Sequence, residues 1–230
     1  MSRKYSVLLA DLDNTLFDFS ASERIAITKL LSRYGPVSEQ LLDKYSAYND
    51  SLWKRLEKGE ITRKQLIATR FTEFFSSQGI NGDGAEAAPL YEKYLSETAV
   101  WLYGAKKLLL RCRGKIKVYI ISNGLASVQF PRVQASGIDK ITDGHFISEL
   151  VGYNKPDIRY FEAVGESIPG FSKAETLVLG DSLTADIKGG AEFGCDTCLY
   201  DRFSSYTGES EIKPDFVIHK LSELYKILDI

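Results

Sequence analysis

Short apolar runs that are rich in β-branched residues recur along the chain and are typical of buried strands. They lie at Val7–Ala10, Lys117–Ser122, Thr176–Leu179, Thr197–Tyr200 and Phe216–Ile218. Helix-like segments lie between them at 125–136, 157–168 and 183–194, and Pro131 predicts a kink or a restart in the first of these helices. Strands that alternate with helices predict right-handed crossovers. We therefore expect an α/β fold with a doubly wound parallel sheet.

The region from about 22 to 98 follows a different pattern. It holds long helical periods without a convincing strand, at 22–34, 38–57, 62–77 and 85–97. Glycines and N-cap residues separate these helices, as where Gly59 precedes Thr62. The pattern predicts an all-helical domain at 21–98, inserted into a sheet domain made of 1–20 and 99–230.

The charge balance narrows the class of ligand. Lys and Arg total 29 and Asp and Glu total 31 in 230 residues, a formal charge of −2. Proteins that bind nucleic-acid polymers usually carry a basic excess, so we expect a small ligand and no nucleic-acid polymer. No apolar run approaches the ~20 residues that span a bilayer, and Met1–Tyr5 leads into the first strand without a cleavage-site pattern. We expect a cytoplasmic protein with no membrane segment.

The cysteine content favours a reducing compartment over a disulfide framework. Cys112, Cys195 and Cys198 are odd in number. Cys195 and Cys198 have the spacing of half a zinc site or of a redox pair, but no second cysteine pair exists, and His145 and His219 are distant in sequence. A single such pair is weak support for a site, so buried thiols are the favoured interpretation.

Acidic residues follow two of the predicted strands at the point where each strand ends. The first strand runs into Asp11 and Asp13, and the strand at Thr176–Leu179 leads to Asp181, with Asp186 about one helical turn later. Open α/β sheets bind ligands at the carboxyl ends of their strands. If the two strands are neighbours, the carboxylates converge, and so many negative charges cannot share a pocket unpaired. A hard divalent cation resolves this conflict, and Mg²⁺ suits a site that also holds waters and a phosphate oxygen.

Two further groups offer the donors that a phosphoryl group requires. Ser122 ends its strand, and with Asn123 and Gly124 it supplies a hydroxyl and backbone amides at a helix N-terminus. Lys155 precedes another predicted helix, which Pro156 is suited to open. Taken singly, Ser122 would be only a helix cap and Lys155 only a solvated surface charge. Beside the acidic cluster, both become candidates for phosphate binding.

In chain order, these segments match the four motifs of the haloacid dehalogenase superfamily, which the chain therefore resembles. The motifs are Asp-Leu-Asp-Asn-Thr at 11–15, Ile-Ser-Asn-Gly at 121–124, Asn-Lys-Pro-Asp at 154–157 and Gly-Asp-Ser-Leu-Thr-Ala-Asp at 180–186. The resemblance spans nearly the whole chain, and the helical insert is similar to the type-one cap of the family. It implies a Rossmann-like catalytic core at 1–20 and 99–230, a helical cap at 21–98, and a phosphatase that forms an aspartyl-phosphate.

The resemblance also implies a role for each motif residue. Asp11 is the implied nucleophile, and Asp13 is the implied acid that protonates the leaving oxygen and the base that later activates water. Ser122 and Lys155 are implied to hold the phosphoryl oxygens as charge redistributes.

The implied cofactor is Mg²⁺, held by Asp11, the Asp13 carbonyl and Asp181. Asp186 is expected to orient Lys155 or metal-bound waters rather than to bind the metal directly. Three further motif residues are expected to contact the substrate, namely Thr15, Asn123 and Gly124.

Single residues distinguish phosphomonoester hydrolysis from the other activities of the superfamily. Dehalogenases and phosphonatases of the family lack the second aspartate of motif one, so Asp13 argues against both. Hexose-phosphate mutases use a histidine near the cap, and no histidine precedes His145 in this chain. Hydrolysis of a phosphomonoester is therefore favoured.

The cap segment is similar to that of house-cleaning pyrimidine 5′-nucleotidases, through 48–53, 59–62 and 66–71. This similarity implies a small phosphorylated substrate, a pyrimidine nucleoside monophosphate. A phosphatase of small sugar or organic-acid phosphates with the same core is the alternative. A non-catalytic relative that binds a phosphorylated ligand is a third reading, and the intact acidic motifs argue against it.

Two cap residues are candidates for binding the base. Asn49 and Trp53 stand four apart on one predicted helix and so share a face, where they would offer an amide and a stacking ring. Trp53 would serve equally well as cap core. Phe17 and Phe19, on the segment that leaves motif one, are the alternative aromatic lining.

Overall fold

The structure is a computed structural model that describes residues 5–230, and a parallel sheet forms its centre. The strands in chain order are β1 (Val7–Asp11), β2 (Lys117–Ser122), β3 (Gly144–Ile147), β4 (Thr176–Gly180), β5 (Asp196–Tyr200) and β6 (Phe216–Ile218). All their pairings are parallel, and their order across the sheet is β3-β2-β1-β4-β5-β6. The expected doubly wound α/β fold is confirmed. Residues 1–4, where the sequence shows no cleavage-site pattern, lie outside the described residues.

The helices fall into two groups along the chain. Between β1 and β2 lie α1 (Phe19–Leu31), α2 (Glu39–Glu57), α3 (Arg63–Gln78), α4 (Gly84–Ser96) and α5 (Ala105–Cys112). After β2 come α6 (Ala126–Ser136), α7 (Ser148–Val151), α8 (Ile158–Ser167), α9 (Lys188–Phe193) and α10 (Leu224–Leu228). The helices α1 to α4 match the four helical segments expected between 22 and 98.

The structure departs from the expected elements at a few places. β3 is a four-residue edge strand that begins at Gly144, and α5 spans only eight residues, so neither carries a long periodic signal in the sequence. α6 continues through Pro131 instead of restarting there. The segment predicted as one helix over 183–194 begins with a π-helical turn at Leu183–Ile187, which leads into α9.

An aromatic cluster holds the helical insert together. The Tyr45 ring of α2 lies 5.6 Å from the Phe71 ring of α3 and 5.6 Å from the Tyr91 ring of α4, measured between centroids. All three rings are buried, and buried aromatic side chains dominate the packing energy of such a core. The insert therefore has an apolar core of its own, while its boundaries at residues 20 and 99 stay a prediction.

The order of the strands decides which loops meet. β1 pairs with β2, where Asp11 lies opposite Ile121, and with β4, where Ala10 lies opposite Leu179. Because these strands are parallel, their carboxyl ends share one edge of the sheet. The neighbour relation on which the acidic cluster depends is therefore confirmed.

The three cysteines form no disulfide and pack within the apolar core. Cys112, Cys195 and Cys198 are free and buried, and burial raises the pKa of Cys195 and of Cys198 to about 12. A buried, protonated thiol is neither a good nucleophile nor a good metal ligand, so the interpretation as buried thiols is confirmed. Across residues 5–230, no helix has the length and apolar character needed to cross a membrane.

Candidate active site

Three carboxylates converge at the carboxyl edge of the sheet. Asp11 ends β1, Asp181 follows β4, and Asp186 lies in the π-helical turn. Oxygen atoms from the three side chains all lie within 4.8 Å of one another. Burial, helped by the Asp186 and Asp13 carboxylates, outweighs the Lys155 cation and raises the pKa of Asp11 to about 7. Although Asp181 faces the cavity, its desolvated surroundings and its acidic neighbours raise its pKa well above the usual range.

The turn after β4 brings Asp186 back toward the sheet. The Ser182 side chain caps the turn by accepting from the Ala185 N–H at 3.1 Å, and the Ser182 N–H donates to Asp186 Oδ2 at 3.2 Å. A Cβ atom at position 180 would overlap the Asp186 carboxylate. Gly180 is therefore the residue that permits this close approach of side chain and backbone.

Lys155 supplies the positive charge of the cluster. Its Nζ donates to Asp11 Oδ1 and to Asp186 Oδ1, both at 2.6 Å, and to the Ile121 carbonyl at 3.2 Å. Burial opposes the charged amine, but Asp11 and Asp186 outweigh this cost and raise the Lys155 pKa above its ordinary value. Asn123 fixes the backbone: its Oδ1 accepts from the Lys155 N–H and its Nδ2 donates to the Lys155 carbonyl, both at 2.9 Å. The ammonium group is thereby held against Asp11.

The Ser122 hydroxyl lies buried at the end of β2 and lines the same cavity as Asp11. Its Oγ accepts from the Gly124 N–H at 3.1 Å and from Gln129 Nε2 at 2.9 Å. A Cβ atom at Gly124 would overlap the Gln129 amide. Because both contacts use Ser122 as an acceptor, its own O–H is available to donate to a ligand oxygen.

Asp13 is held from two sides by side chains of α6. Its Oδ1 accepts from Arg132 NH1 at 2.7 Å, and its Oδ2 accepts from Gln129 Nε2 at 2.6 Å. Arg132 is fully buried, and its Nε also donates to the Thr98 carbonyl at 2.8 Å. The Asp13 carboxylate thus has a cation of its own and does not share Lys155.

The charges and donor atoms of the cluster fit a divalent cation. Lys155 provides one positive charge against the carboxylates of Asp11, Asp181 and Asp186, which together carry three negative charges when all are ionised, as they would be as metal ligands. Carboxylate oxygens are the donors that Mg²⁺ prefers. One Mg²⁺ beside Lys155 would bring the formal charge of the cluster to zero, so the residues present fit this metal.

A cavity of about 920 Å³ lies between the acidic cluster and the helical insert. On the sheet side it is lined by Asp11, Asp13, Ser122, Asn123, Gly124, Lys155, Asp181 and Asp186. On the side of the insert it is lined by Phe19, Glu23, Asn49, Trp53, Arg70 and Tyr91. The loop after β5 adds Arg202, Phe203 and Tyr206. Asn49 and Trp53 therefore face the same space as the motif residues, although their contact with a substrate stays a prediction.

Phe17 does not line the cavity, where the sequence led us to expect it, and its contact with a substrate stays a prediction that this placement argues against. Its ring is fully buried and meets the Trp101 ring edge-on at 5.0 Å, with the Arg132 guanidinium 5.3 Å from its centroid. The backbone of Phe17 forms bridges with Asp13 and with Trp101, and this turn directs the side chain into the core. Phe19, two residues later, lines the cavity instead.

Thr15 is likewise outside the cavity lining, and its contact with a substrate stays a prediction. Thr15 is fully buried, and its hydroxyl donates to Asp181 Oδ1 at 3.5 Å. It therefore supports a carboxylate of the cluster from behind. The side chain of Asn123 is engaged by the Lys155 backbone and the Gly124 N–H by Ser122 Oγ, so the substrate contacts of Asn123 and Gly124 stay predictions.

Of the polar residues that line the cavity, four that are buried on helices are not identified by the sequence analysis, namely Glu23, Arg70, Gln129 and Arg132. Arg70 stands four residues after Leu66 and four before Phe74, on the apolar face of α3. A charged residue at such a position is rarely buried unless it is paired, and this is the signal that identifies Arg70 from the sequence.

Comparison with known proteins relates the whole chain to phosphate-ester chemistry. The family model for haloacid dehalogenase-like hydrolases matches residues 5–194. Pyrimidine 5′-nucleotidase PynA of Streptococcus pneumoniae is 38% identical over 227 residues, which cover 98% of this chain and 95% of that protein. Pyrimidine 5′-nucleotidase YjjG of Escherichia coli is 29% identical over 225 residues, 98% of each chain.

A similar crystal structure is that of the HAD-hydrolase YfnB of Bacillus subtilis. YfnB is 37% identical over 229 residues, which cover 99% of this chain and 97% of that protein. Its magnesium-bound crystal structure superimposes with a TM-score of 0.93 over 99% of this chain and 100% of that one, and it reveals interdomain movement in YfnB.

Proposed function

Because the chain belongs to the haloacid dehalogenase-like hydrolase family, we propose that it hydrolyses pyrimidine nucleoside 5′-monophosphates through an acyl phosphate formed on Asp11. The observation that carries the proposal is the pairing of Asp11 with Lys155 at 2.6 Å on the floor of a cavity of about 920 Å³. The opposite wall of that cavity offers aromatic rings and buried polar groups, which suit a base. The full-length similarity to PynA supports this substrate class.

The side chains support a two-step reaction. In the first step an Asp11 oxygen bonds to phosphorus as the bond from phosphorus to the nucleoside oxygen breaks, and Asp13 gives that leaving oxygen a proton. In the second step Asp13 takes a proton from water, and the water oxygen bonds to phosphorus. The bond from phosphorus to the Asp11 oxygen breaks, which frees Asp11 and releases inorganic phosphate. Lys155 and the free Ser122 O–H donate to the phosphoryl oxygens throughout.

Mg²⁺ would be held by Asp11, Asp181 and the Asp13 carbonyl. When bound, it supplies charge that neutralises the phosphoryl group and the acidic cluster. Asp186 orients Lys155, because its Oδ1 accepts from Nζ at 2.6 Å. The free buried cysteines suit a reducing compartment, and we place the reaction in the cytoplasm.

The test is a phosphate-release assay with Mg²⁺ on UMP, CMP, dTMP, a hexose phosphate, phosphoglycolate and an aryl phosphate. We expect kcat/KM for the pyrimidine monophosphates to exceed that for the hexose phosphate by about tenfold or more. Asp11→Asn keeps the shape of the side chain and removes the nucleophile, so it serves as the inactive control. A preference of about tenfold for the hexose phosphate would contradict the nucleotidase assignment, and full activity of Asp11→Asn would contradict the covalent route.

A further inference from the structure

Arg70 is a buried cation whose donors are only partly satisfied. It lies in α3, is 3% exposed and lines the cavity. Its NH1 donates to Asn49 Oδ1 at 3.2 Å, whereas Nε and NH2 have no hydrogen-bond partner within residues 5–230. A buried donor left without a partner costs free energy. Nε and NH2 form one edge of the planar guanidinium fork. Both atoms are buried beside the cavity, so a movement of the surrounding cap side chains would open this edge to the acceptor atoms of a ligand.

Neighbouring side chains fix the guanidinium in place. Its central carbon lies 5.0 Å from the centroid of the Phe71 ring and 4.7 Å from that of Tyr91, distances at which ring faces attract a cation. Asn49 Nδ2 donates to Glu23 Oε1 at 2.7 Å, which leaves the amide oxygen for Arg70. The donor edge is therefore preorganised by side chains from four helices of the cap.

Glu23 determines which charge a ligand beside Arg70 can carry. Its carboxylate and the Arg70 guanidinium bind opposite ends of the Asn49 amide, so the two charges offset each other. A ligand with a carboxylate or a second phosphate would meet Arg70 but also Glu23 and Glu92, which line the same cavity. A neutral ring that carries a carbonyl oxygen meets no such repulsion. Trp53, on the same wall, offers it a ring face.

We propose that the Nε and NH2 edge of Arg70, held by Asn49 and Glu23, binds the ring carbonyl of the substrate's base and thereby selects carbonyl-bearing pyrimidines. The inference rests on the proposed nucleotidase function and names the contact that recognises the base. Uracil, thymine and cytosine all carry a C2 carbonyl oxygen. Adenine carries no carbonyl, and ribose 5-phosphate carries no base. These two compounds therefore separate the base subsite from the phosphate site.

The experiment compares wild type with Arg70→Met, which keeps an unbranched stem but removes the guanidinium donors. We expect kcat/KM for UMP and CMP to fall by about 10- to 100-fold, the worth of a hydrogen bond from a charged group. For AMP and ribose 5-phosphate we expect a change of less than about threefold. Arg33→Met is the matched control, because Arg33 is an exposed cap arginine outside the cavity, and it should leave all four rates unchanged.

A second variant and an inhibition assay keep the test decisive if Arg70→Met fails to fold. Arg70→Lys retains the charge without the fork, and we expect it to lose the preference for UMP over ribose 5-phosphate. Uridine has no phosphate, so its inhibition of aryl phosphate hydrolysis by wild type reports the base subsite alone. Uridine that inhibits no better than ribose, or an unchanged UMP preference in either variant, would overturn the subsite and leave the nucleotidase function standing. A wild type that prefers ribose 5-phosphate to UMP would instead overturn the nucleotidase function itself.

Discussion

Arg132, a fully buried guanidinium, donates a hydrogen bond to the Asp13 carboxylate at 2.7 Å. The same side chain donates to the Thr98 carbonyl at 2.8 Å, on the segment by which the chain returns from the cap to the core. Losing this contact would leave the Arg132 charge buried without a partner, which costs free energy. The contact therefore holds the Asp13 carboxylate in its present orientation. Arg132 is therefore a positioning residue that links the acid-base group to the return segment of the cap.

Arg132→Lys should impair the acid-base step more than the attack of Asp11. Lysine keeps the charge, but its single nitrogen cannot reproduce the contacts that the guanidinium makes. We expect kcat/KM for UMP to fall by about 10- to 100-fold. An aryl phosphate with an acidic leaving group needs little protonation, so its rate should fall less. Arg113→Lys, at an exposed position of the sheet domain, is the control. Equal losses of kcat/KM for both substrates would show that Arg132 supports the fold and does not position Asp13.

Asp13→Asn should separate the two halves of the reaction. Asp11 and the acidic cluster remain in this variant, but no group is left to donate or accept the proton. Steady-state hydrolysis should fall by roughly 10²–10⁴-fold, the usual worth of a positioned acid or base. With an activated aryl phosphate, formation of the acyl phosphate on Asp11 should survive better than its hydrolysis, so the acyl phosphate should accumulate in rapid-quench samples. Equal loss of both steps would remove Asp13 from the proposed role.

Mg²⁺ should raise the thermal stability of the wild type through Asp181. A ligand that binds only the native state stabilises it by RT ln(1 + [L]/Kd), or about 2.7 kcal/mol at a hundredfold excess over Kd. The measurement is the Tm with and without Mg²⁺, which does not depend on turnover. Asp181→Asn should show a much smaller Mg²⁺ shift, whereas Asp139→Asn, at the surface, should retain it. EDTA should stop phosphate release by the wild type, and an undiminished shift in Asp181→Asn would remove that residue from the metal site.

The placement of Asp11, Ser122, Lys155 and Asp181 could be predicted because it depends on topology. Asp11 and Ser122 end their strands and Asp181 directly follows one. Parallel neighbouring strands bring their carboxyl ends to one edge of the sheet, and this does not depend on the details of packing. The cap side of the cavity depends on how helices pack and how turns aim side chains, which local sequence specifies weakly. Phe17 illustrates this, because its pairing with Trp101 turns the ring into the core. The partners of a buried cap residue likewise come from other helices, so its role could not be inferred from its own helix.

Arg63 should keep the cap closed over the site. It is the first residue of α3, and its NH2 donates to the Asn123 carbonyl at 3.1 Å, to Asn154 Oδ1 at 2.6 Å and to the Ser148 hydroxyl. Asn123 and Asn154 belong to motif segments and Ser148 begins α7, so these contacts join the cap to the sheet domain beside the site. We expect Arg63→Met to raise KM for UMP by about 3- to 10-fold and to leave kcat for a small aryl phosphate nearly unchanged. Lys64→Met, at the adjacent exposed position, is the control, and an unchanged KM would show that the contacts do not stabilise closure.

Glu23 should make the stability of the cap depend on pH. The side chain is 4% exposed, and burial raises its pKa above the ordinary 4.5, against hydrogen bonds from Ser46 and Asn49 and the charge of Arg70. The folded chain therefore holds this proton to a higher pH than the unfolded chain, and the contribution of Glu23 to the free energy of unfolding falls as pH rises from 4.5 through the folded pKa. Glutamine keeps the shape and cannot ionise. We expect Glu23→Gln to gain stability relative to the wild type between about pH 4.5 and pH 7. The measurement is the free energy of unfolding in urea at both pH values. Distant carboxylates contribute equally to the two proteins, so their contributions cancel in the difference between variant and wild type. A difference that is constant across this window would mean that Glu23 ionises as easily in the folded chain as in the unfolded one.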